Sequence, residues 1–178
     1  EEGIVTPEFR VLCRGGDAFY GRFYQCHTTH GSVDMREALE QSCNTYFYTL
    51  GEMLEIDQIH KWATALGLGE LSGLDLPHEV QGLMPSTAWK REARGEPWYP
   101  GETISVAIGQ GAVSVTPISM AVMMATVANG GTRVTPHLLK AVNDGTGWTP
   151  WQPPGPQSEV SLSATTLSTV TDGLWYVV

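Results

Sequence analysis

Ser42 and Asn44 put a hydroxyl and a carboxamide one residue apart, with Cys43 between them, at a break between two helical runs. Side chains at such a break can face a cleft instead of a core, which is how a catalytic loop is built. The plainer alternative is a serine capping one helix and an asparagine ending the other. A second constellation overlaps the first. Cys13, Cys26 and Cys43 are three in number, so they cannot all pair within the chain, and His30 follows Cys26 by four residues and precedes Cys43 by thirteen. Three thiolates and one imidazole make a four-coordinate set of the kind that closes a structural zinc site. The competing reading is a Cys13–Cys26 disulfide with Cys43 buried and free. The position of His30 favours the metal, and His27 is a spare donor. His60, His78 and His137 have no partner at ligand spacing. No paired carboxylates stand out, and Gly109-Gln110-Gly111 lacks the lysine of a phosphate loop.

The elements that must position these residues are mostly helical. Residues 3–31, rich in glycine, aromatics and cysteine without a clear period, read as a long irregular segment that needs a staple. Asp34 followed by Glu37 predicts a capping box for a helix over 35–41. Phe47, Leu50 and Leu54 continue at helical spacing. Asp57 then caps a further helix whose stripe is Ile59, Trp62, Ala63 and Leu66, and Gly67 stops it. Residues 69–103 read as turns, with one helix starting at Ser86.

Thr116-Pro117 predicts a helix start, and from Ile118 to Ala128 the helix is apolar nearly all round, which predicts a central position with Met120, Met123 and Met124 as core filler. Residues 133–142 predict one strand, at an edge or an end because of Pro136. Residues 143–159 read as a surface loop or linker. Ser163 caps a last helix carrying Leu167, Val170, Leu174 and Val177. Trp89, Trp98 and Tyr99 read as packing against the domain, not as a sugar platform.

Composition sets the frame. At 178 residues, 42% hydrophobic and 16% charged, the chain can bury a core of one-domain size. A net charge of -9 with ten Lys and Arg argues against nucleic acid or an anionic membrane surface as partner. There is no initiator Met, and the sequence stops inside the apolar run Leu174-Trp175-Tyr176-Val177-Val178, so the chain is expected to be a piece of something longer.

The stretch from Gly31 to Leu139 carries several motifs in one order. They are Glu40-Gln41-Ser42-Cys43-Asn44-Thr45-Tyr46-Phe47-Tyr48, Gly73-Leu74-Asp75-Leu76-Pro77, Gly82-Leu83-Met84-Pro85-Ser86, Pro97-Trp98-Tyr99-Pro100-Gly101-Glu102-Thr103, and Ala107-Ile108-Gly109-Gln110-Gly111 before Thr116-Pro117. In this it resembles the transpeptidase domain of class B penicillin-binding proteins, most closely the elongation-type penicillin-binding protein 2 group. The resemblance implies an α+β fold of the penicillin-binding protein and serine β-lactamase type, of which residues 1–178 would be a partial domain, mainly its helical lobe. It also implies serine-type D,D-transpeptidase chemistry on peptidoglycan stem peptides, inhibited by β-lactam antibiotics. In that family Ser-x-x-Lys, Ser-x-Asn and Lys-Thr-Gly meet in one cleft. Ser42 would pass a proton to the leaving amine, and Asn44 would hold the donor peptide or the β-lactam side-chain amide.

No Ser lies three residues before Lys61, Lys90 or Lys140, and Lys-Thr-Gly is absent. By the resemblance both belong to flanking sequence, so the chain alone should not acylate. Some relatives of the elongation type hold a metal beside the Ser-x-Asn loop at the places of Cys13, Cys26, His30 and Cys43, and the resemblance thus implies zinc here. It further implies an extracytoplasmic, periplasmic location on a membrane anchor outside the chain, with glycan-polymerising and elongation proteins as partners and no nucleic acid. Two other classes remain: a sensor acylated by β-lactams, and a non-catalytic zinc-stabilised scaffold for the cell wall.

Overall fold

The computed structural model describes residues 1–152 and 158–177. The chain divides into two compact units: Glu1–Trp62, Pro85–Val113 and Leu162–Val178 form the first, and Ala63–Met84 and Ser114–Ser161 the second. Among the described residues, no helix is long and apolar enough to cross a membrane.

In the first unit the expected irregular segment is instead two nested antiparallel ladders. Strands β1 (Val11–Cys13) and β4 (Gly31–Val33) pair with Cys13 opposite Gly31, and β2 (Gly16–Phe19) and β3 (Arg22–Gln25) form a hairpin inside them. The hairpin closes through Tyr20 and Gly21, both at positive φ, as a two-residue turn matched to strand twist requires. Strands of three or four residues carry too few alternations to show a period, which is why the sequence hid them.

Helix α1 (Met35–Glu40) starts at the predicted capping box: Asp34 accepts from the Glu37 N–H, and Glu37 accepts from the Asp34 N–H. Arg10 reinforces it, donating to Asp34 at 3.0 Å, Glu37 at 2.7 Å and the Ser32 carbonyl at 2.6 Å. Helix α2 (Asn44–Ala65) contains the expected break, at Glu55, whose φ of 62° and ψ of 167° are non-helical. Asp57 has a different client from the one predicted. Its carboxylate accepts from the N–H and hydroxyl of Thr87, the first residue of α3 (Thr87–Arg94), which Ser86 also caps as expected.

Helix α4 (Pro100–Val106) was hidden in a stretch that read as turns. Proline at its first position suits a helix start. Glu102 accepts from the Tyr99 N–H at 3.0 Å and from Lys90 at 2.5 Å. Lys90, 5% exposed, also lies 4.3 Å over the Tyr99 ring, and Trp98 donates to Thr103, so the half-buried Trp98 packs locally as predicted while Tyr99 remains exposed. Gly51 lets α4 approach α2, since a Cβ there would lie 2.5 Å from that of Ala107. Helix α6 (Ala164–Trp175) is capped by Ser163, and its Gly173 is buried against Leu39 of α1.

The unit's core has two parts. One gathers Val11, Cys13, Cys26, Val33, Ala38, Cys43 and Tyr46. The other sets Phe19 edge to face with Tyr24 and Tyr48 at 6.0–6.1 Å, with Tyr24 and Tyr48 tilted at 5.5 Å and Ile104 in the same cluster.

In the second unit, Gly67 ends α2 as predicted, and α5 (Pro117–Ala128) starts at Thr116. Within residues 1–178 the helix is not enclosed on all sides as expected. Met120 and Met124 are exposed, and the buried stripe is Val122 with Ser119 and Thr126; the hydroxyls of these last two donate to the Thr116 and Val122 carbonyls and so tolerate burial. The single strand expected over 133–142 is two: β5 (Thr132–Arg133) and β6 (Ala141–Asn143). Between them Asp75 captures the N–H groups of Leu138 and Leu139, each at 2.8 Å, which removes them from any ladder. The expected linker over 143–159 contains β7 (Trp148–Pro150), paired with β6, and β8 (Ser158–Glu159), paired with β5; its residues 153–157 lie outside the described set.

Candidate catalytic loop and metal centre

The nested ladders explain how distant cysteines meet. Cys13 ends β1, Cys26 directly follows β3 with its N–H on the Gly15 carbonyl at 2.9 Å, and His30 directly precedes β4. Three ligand candidates thus come to one end of the ladders. Cys43 arrives from the junction of α1 and α2. The four ligand atoms lie within 4.8 Å of one another, and Cys26 Sγ is 3.5 Å from His30 Nδ1. Zinc–sulfur and zinc–nitrogen bonds in a tetrahedron imply ligand separations of about 3.5–3.8 Å, so small side-chain adjustments suffice to close it. All three cysteines are free and buried, which does not support the disulfide reading. His27 is exposed, 3.9 Å from Cys26 Sγ and edge-on to His30, outside the four-ligand group.

The α1–α2 junction is a Schellman closure. The Cys43 N–H reaches the Ala38 carbonyl at 2.9 Å, and the Ser42 N–H reaches the Leu39 carbonyl at 3.2 Å. Ser42 therefore sits where a glycine is the usual choice, at φ 52°, and its side chain is exposed. Holding an L-residue in the left-handed region costs about 1–2 kcal/mol. Cys43 serves both helices. It packs with Ala38 in the core cluster, and its sulfur accepts the Tyr46 N–H of the first turn of α2. Asn44, half-buried, is the first residue of α2 and hydrogen-bonds Tyr48 one turn on. The sequence-predicted pair and the sequence-predicted ligands are thus brought together through one residue, with Ser42 outward and Cys43 inward.

The thiols are unequal. Burial pushes Cys43 up to about 12. Burial also works against a Cys13 thiolate, but donation from the Thr45 hydroxyl and from the N–H groups of His30 and Gly15 outweighs it and brings Cys13 down to about 6. The sequence reading missed Thr45, 0% exposed with its hydroxyl oxygen 3.3 Å from Cys13 Sγ. Its only signal was adjacency to Asn44. The other histidines stay outside: His137 bonds Leu139 and stacks on Trp151, and His78 is exposed.

The profile of the penicillin-binding protein transpeptidase domain matches residues 1–178. The chain belongs to that family. It is 40% identical over 165 residues to peptidoglycan D,D-transpeptidase MrdA of Salmonella typhimurium, covering 89% of this chain and 26% of that protein. It is 47% identical over 116 residues to MrdA of Acinetobacter baumannii, covering 65% of this chain and 17% of the relative. Pseudomonas aeruginosa PBP2, solved in complex with WCK 5153, superposes with a TM-score of 0.88 at 38% identity over 97% of this chain and 38% of that one. The chain therefore spans about a quarter or less of the length of these curated relatives. The fold is the α+β transpeptidase fold that the motifs implied.

Proposed function

We propose that residues 1–178 are the part of a serine-type peptidoglycan D,D-transpeptidase domain that supplies the middle motif of its cleft. The observation that carries this is the α1–α2 junction, where Ser42 is held outward in the left-handed region immediately before the start of α2. A hydroxyl so fixed suits a proton relay to a leaving amine, because a relay needs a defined position more than basicity. Asn44, at the first turn of α2, offers a carboxamide that both donates to and accepts from a peptide bond, which suits the acyl-donor stem peptide or the amide of a β-lactam. The nucleophile and the Lys-Thr-Gly strand belong to other parts of the protein. The decisive experiment places Ser42→Ala in the full-length protein and measures transpeptidation. Loss of at least tenfold in rate with unchanged folding supports the relay, and a full rate sinks it.

The same loop is anchored by structural zinc on Cys13, Cys26, His30 and Cys43. Four donors of this kind suit a closed, structural centre, and bound zinc would supply a rigid, four-way tie between the ladders and the catalytic loop. Protein purified without chelator should carry close to one zinc per chain, lost in Cys43→Ala. Two oxidised thiols and no metal would restore the disulfide reading.

The protein works on the extracytoplasmic face of the membrane, held by an anchor elsewhere in its sequence. Its partners are glycan-polymerising and elongation proteins. One solved relative, 39% identical, belongs to a peptidoglycan synthase complex that coordinates polymerization and crosslinking, and a Helicobacter pylori PBP2 was solved in complex with MreC.

A further inference from the structure

Three thiolates on a divalent cation leave a centre of net charge -1, and here the three cysteines are 0–2% exposed. A buried, uncompensated charge costs several kcal/mol, so the surroundings must direct dipoles at the sulfurs. Backbone N–H groups supply part of this: Gly15 and His30 point at Cys13, and Tyr46 at Cys43. Among the described residues, one side-chain hydroxyl lies within hydrogen-bond distance of a ligand sulfur, Thr45 Oγ1 at 3.3 Å from Cys13 Sγ.

We propose that Thr45 is a positioning residue for the metal centre, its hydroxyl donating to the Cys13 thiolate and thereby setting both the affinity of the site and its coupling to the catalytic loop. The inference rests on the zinc reading above. A thiolate has no proton, so the direction of the bond is fixed once Cys13 binds metal. The contact that a Cys13 thiol makes to the Thr28 carbonyl at 3.5 Å is then lost, while the bonds Cys13 accepts are kept. Thr45 is 0% exposed, so no bulk water competes for its hydroxyl. Its place in the chain gives the bond a consequence. Thr45 follows Asn44 directly in the first turn of α2, and its carbonyl accepts the Thr49 hydroxyl at 2.9 Å, so charge at Cys13 is tied to the turn that presents Asn44.

Thr45→Val keeps the shape and removes the donor. In the metal-loaded protein, competition with a chromophoric chelator should show zinc bound about 10–100-fold more weakly in this variant, with Thr45→Ser restoring most of the affinity. The cobalt-substituted protein should shift its thiolate-to-metal charge-transfer band in Thr45→Val and recover it in Thr45→Ser, a change that mere loss of packing would not give. If Thr45→Val does not fold, the unaltered protein loaded with cadmium-113 provides the measurement. A slowly exchanging Thr45 hydroxyl proton coupled to the metal supports the bond, and a fast-exchanging, uncoupled one overturns it. Unchanged affinity and spectrum in a folded Thr45→Val would overturn the role of Thr45 and leave the zinc centre standing. Failure of the unaltered protein to bind zinc or cobalt would overturn the centre itself, and with it this role.

Discussion

The α1–α2 junction and the segment over 72–84 both hold irregular backbone in place, by opposite means. At the junction the candidate holding groups are three buried sulfurs, from Cys13 at the end of β1, Cys26 just after β3 and Cys43, and the half-buried imidazole of His30 just before β4. Over 72–84 they are carboxylates nearer to solvent. Glu79 accepts from the N–H and hydroxyl of Ser72 and from the Gly73 N–H, and Asp75 accepts from Leu138 and Leu139. The difference teaches what each segment is for. Carboxylate clamps are cheap to build and tolerate small shifts. A four-ligand centre, with zinc bound as proposed, would fix one backbone position from several directions, and that position is the residue between Ser42 and Asn44.

Metal removal is the strongest way to break this contrast. A structural site saturated about a thousandfold above its dissociation constant contributes about 4 kcal/mol, so chelation, or Cys43→Ala, should lower stability by at least that amount. Hydrogen exchange gives the regional answer. Amides over 38–46 should lose protection strongly while those over 72–84 change little, and equal loss in both would remove the distinction between the two.

Glu79→Ala should act in the reverse sense. It deletes the hydrogen bonds from Ser72 and Gly73, for about 2 kcal/mol in all, and should loosen 72–84 in metal-loaded and metal-free protein alike. Acid separates the regions without mutation. Burial works against the Glu79 carboxylate, but the bonds from Ser72, Gly73 and Leu74 outweigh it and hold its pKa below the ordinary 4.5. The N–H groups of Leu138 and Leu139 hold Asp75 below 3.8. Both folded values are depressed, so the stabilisation is complete above the unfolded values and is lost as pH falls from about 4.5 through the folded ones. In metal-free protein, 72–84 should therefore lose exchange protection as pH falls below about 4.5, and protection that held unchanged to pH 2 would contradict the clamp.

How much of this could be read beforehand follows the range of the interactions. Caps are local, and Asp34 with Glu37, Ser86, Thr116 and Ser163 all stand where the sequence put them. The four candidate ligands were legible because cysteine and histidine have few other reasons to be grouped. What stayed hidden depends on distant partners. The nested ladders pair residues up to 22 apart through strands too short to show alternation. Helix α4 has no serine, threonine or aspartate cap and relies on Glu102. The strand expected over 133–142 is divided by a carboxylate more than sixty residues away in sequence. Thr45 looked like any helical threonine until Cys13 was brought beside it.

The smallest expected effect is the most specific to Ser42. Helices α2 and α5 end in the same Schellman closure as α1, but with Gly67 and Gly130 at the left-handed position. Gly67 is doubly required, since a Cβ there would also press on Arg133 at 3.2 Å and Val122 at 3.3 Å. Gly130 faces open space, so only its backbone matters, and it is the fair counterpart of Ser42. Ser42→Gly relieves about 1–2 kcal/mol of left-handed strain and adds about 0.5–1 kcal/mol of unfolded-chain entropy, for a net gain of about 0.5–1 kcal/mol. Gly130→Ser should cost about the same amount. Thermal unfolding of the two variants measures both. A stabilised Ser42→Gly that has lost its transpeptidation in the full-length protein would mean that the serine is kept for its hydroxyl, at the expense of the loop it closes. A Ser42→Gly that is destabilised would mean that the hydroxyl supports the fold, and the contrast between α1 and α5 would then carry no functional meaning.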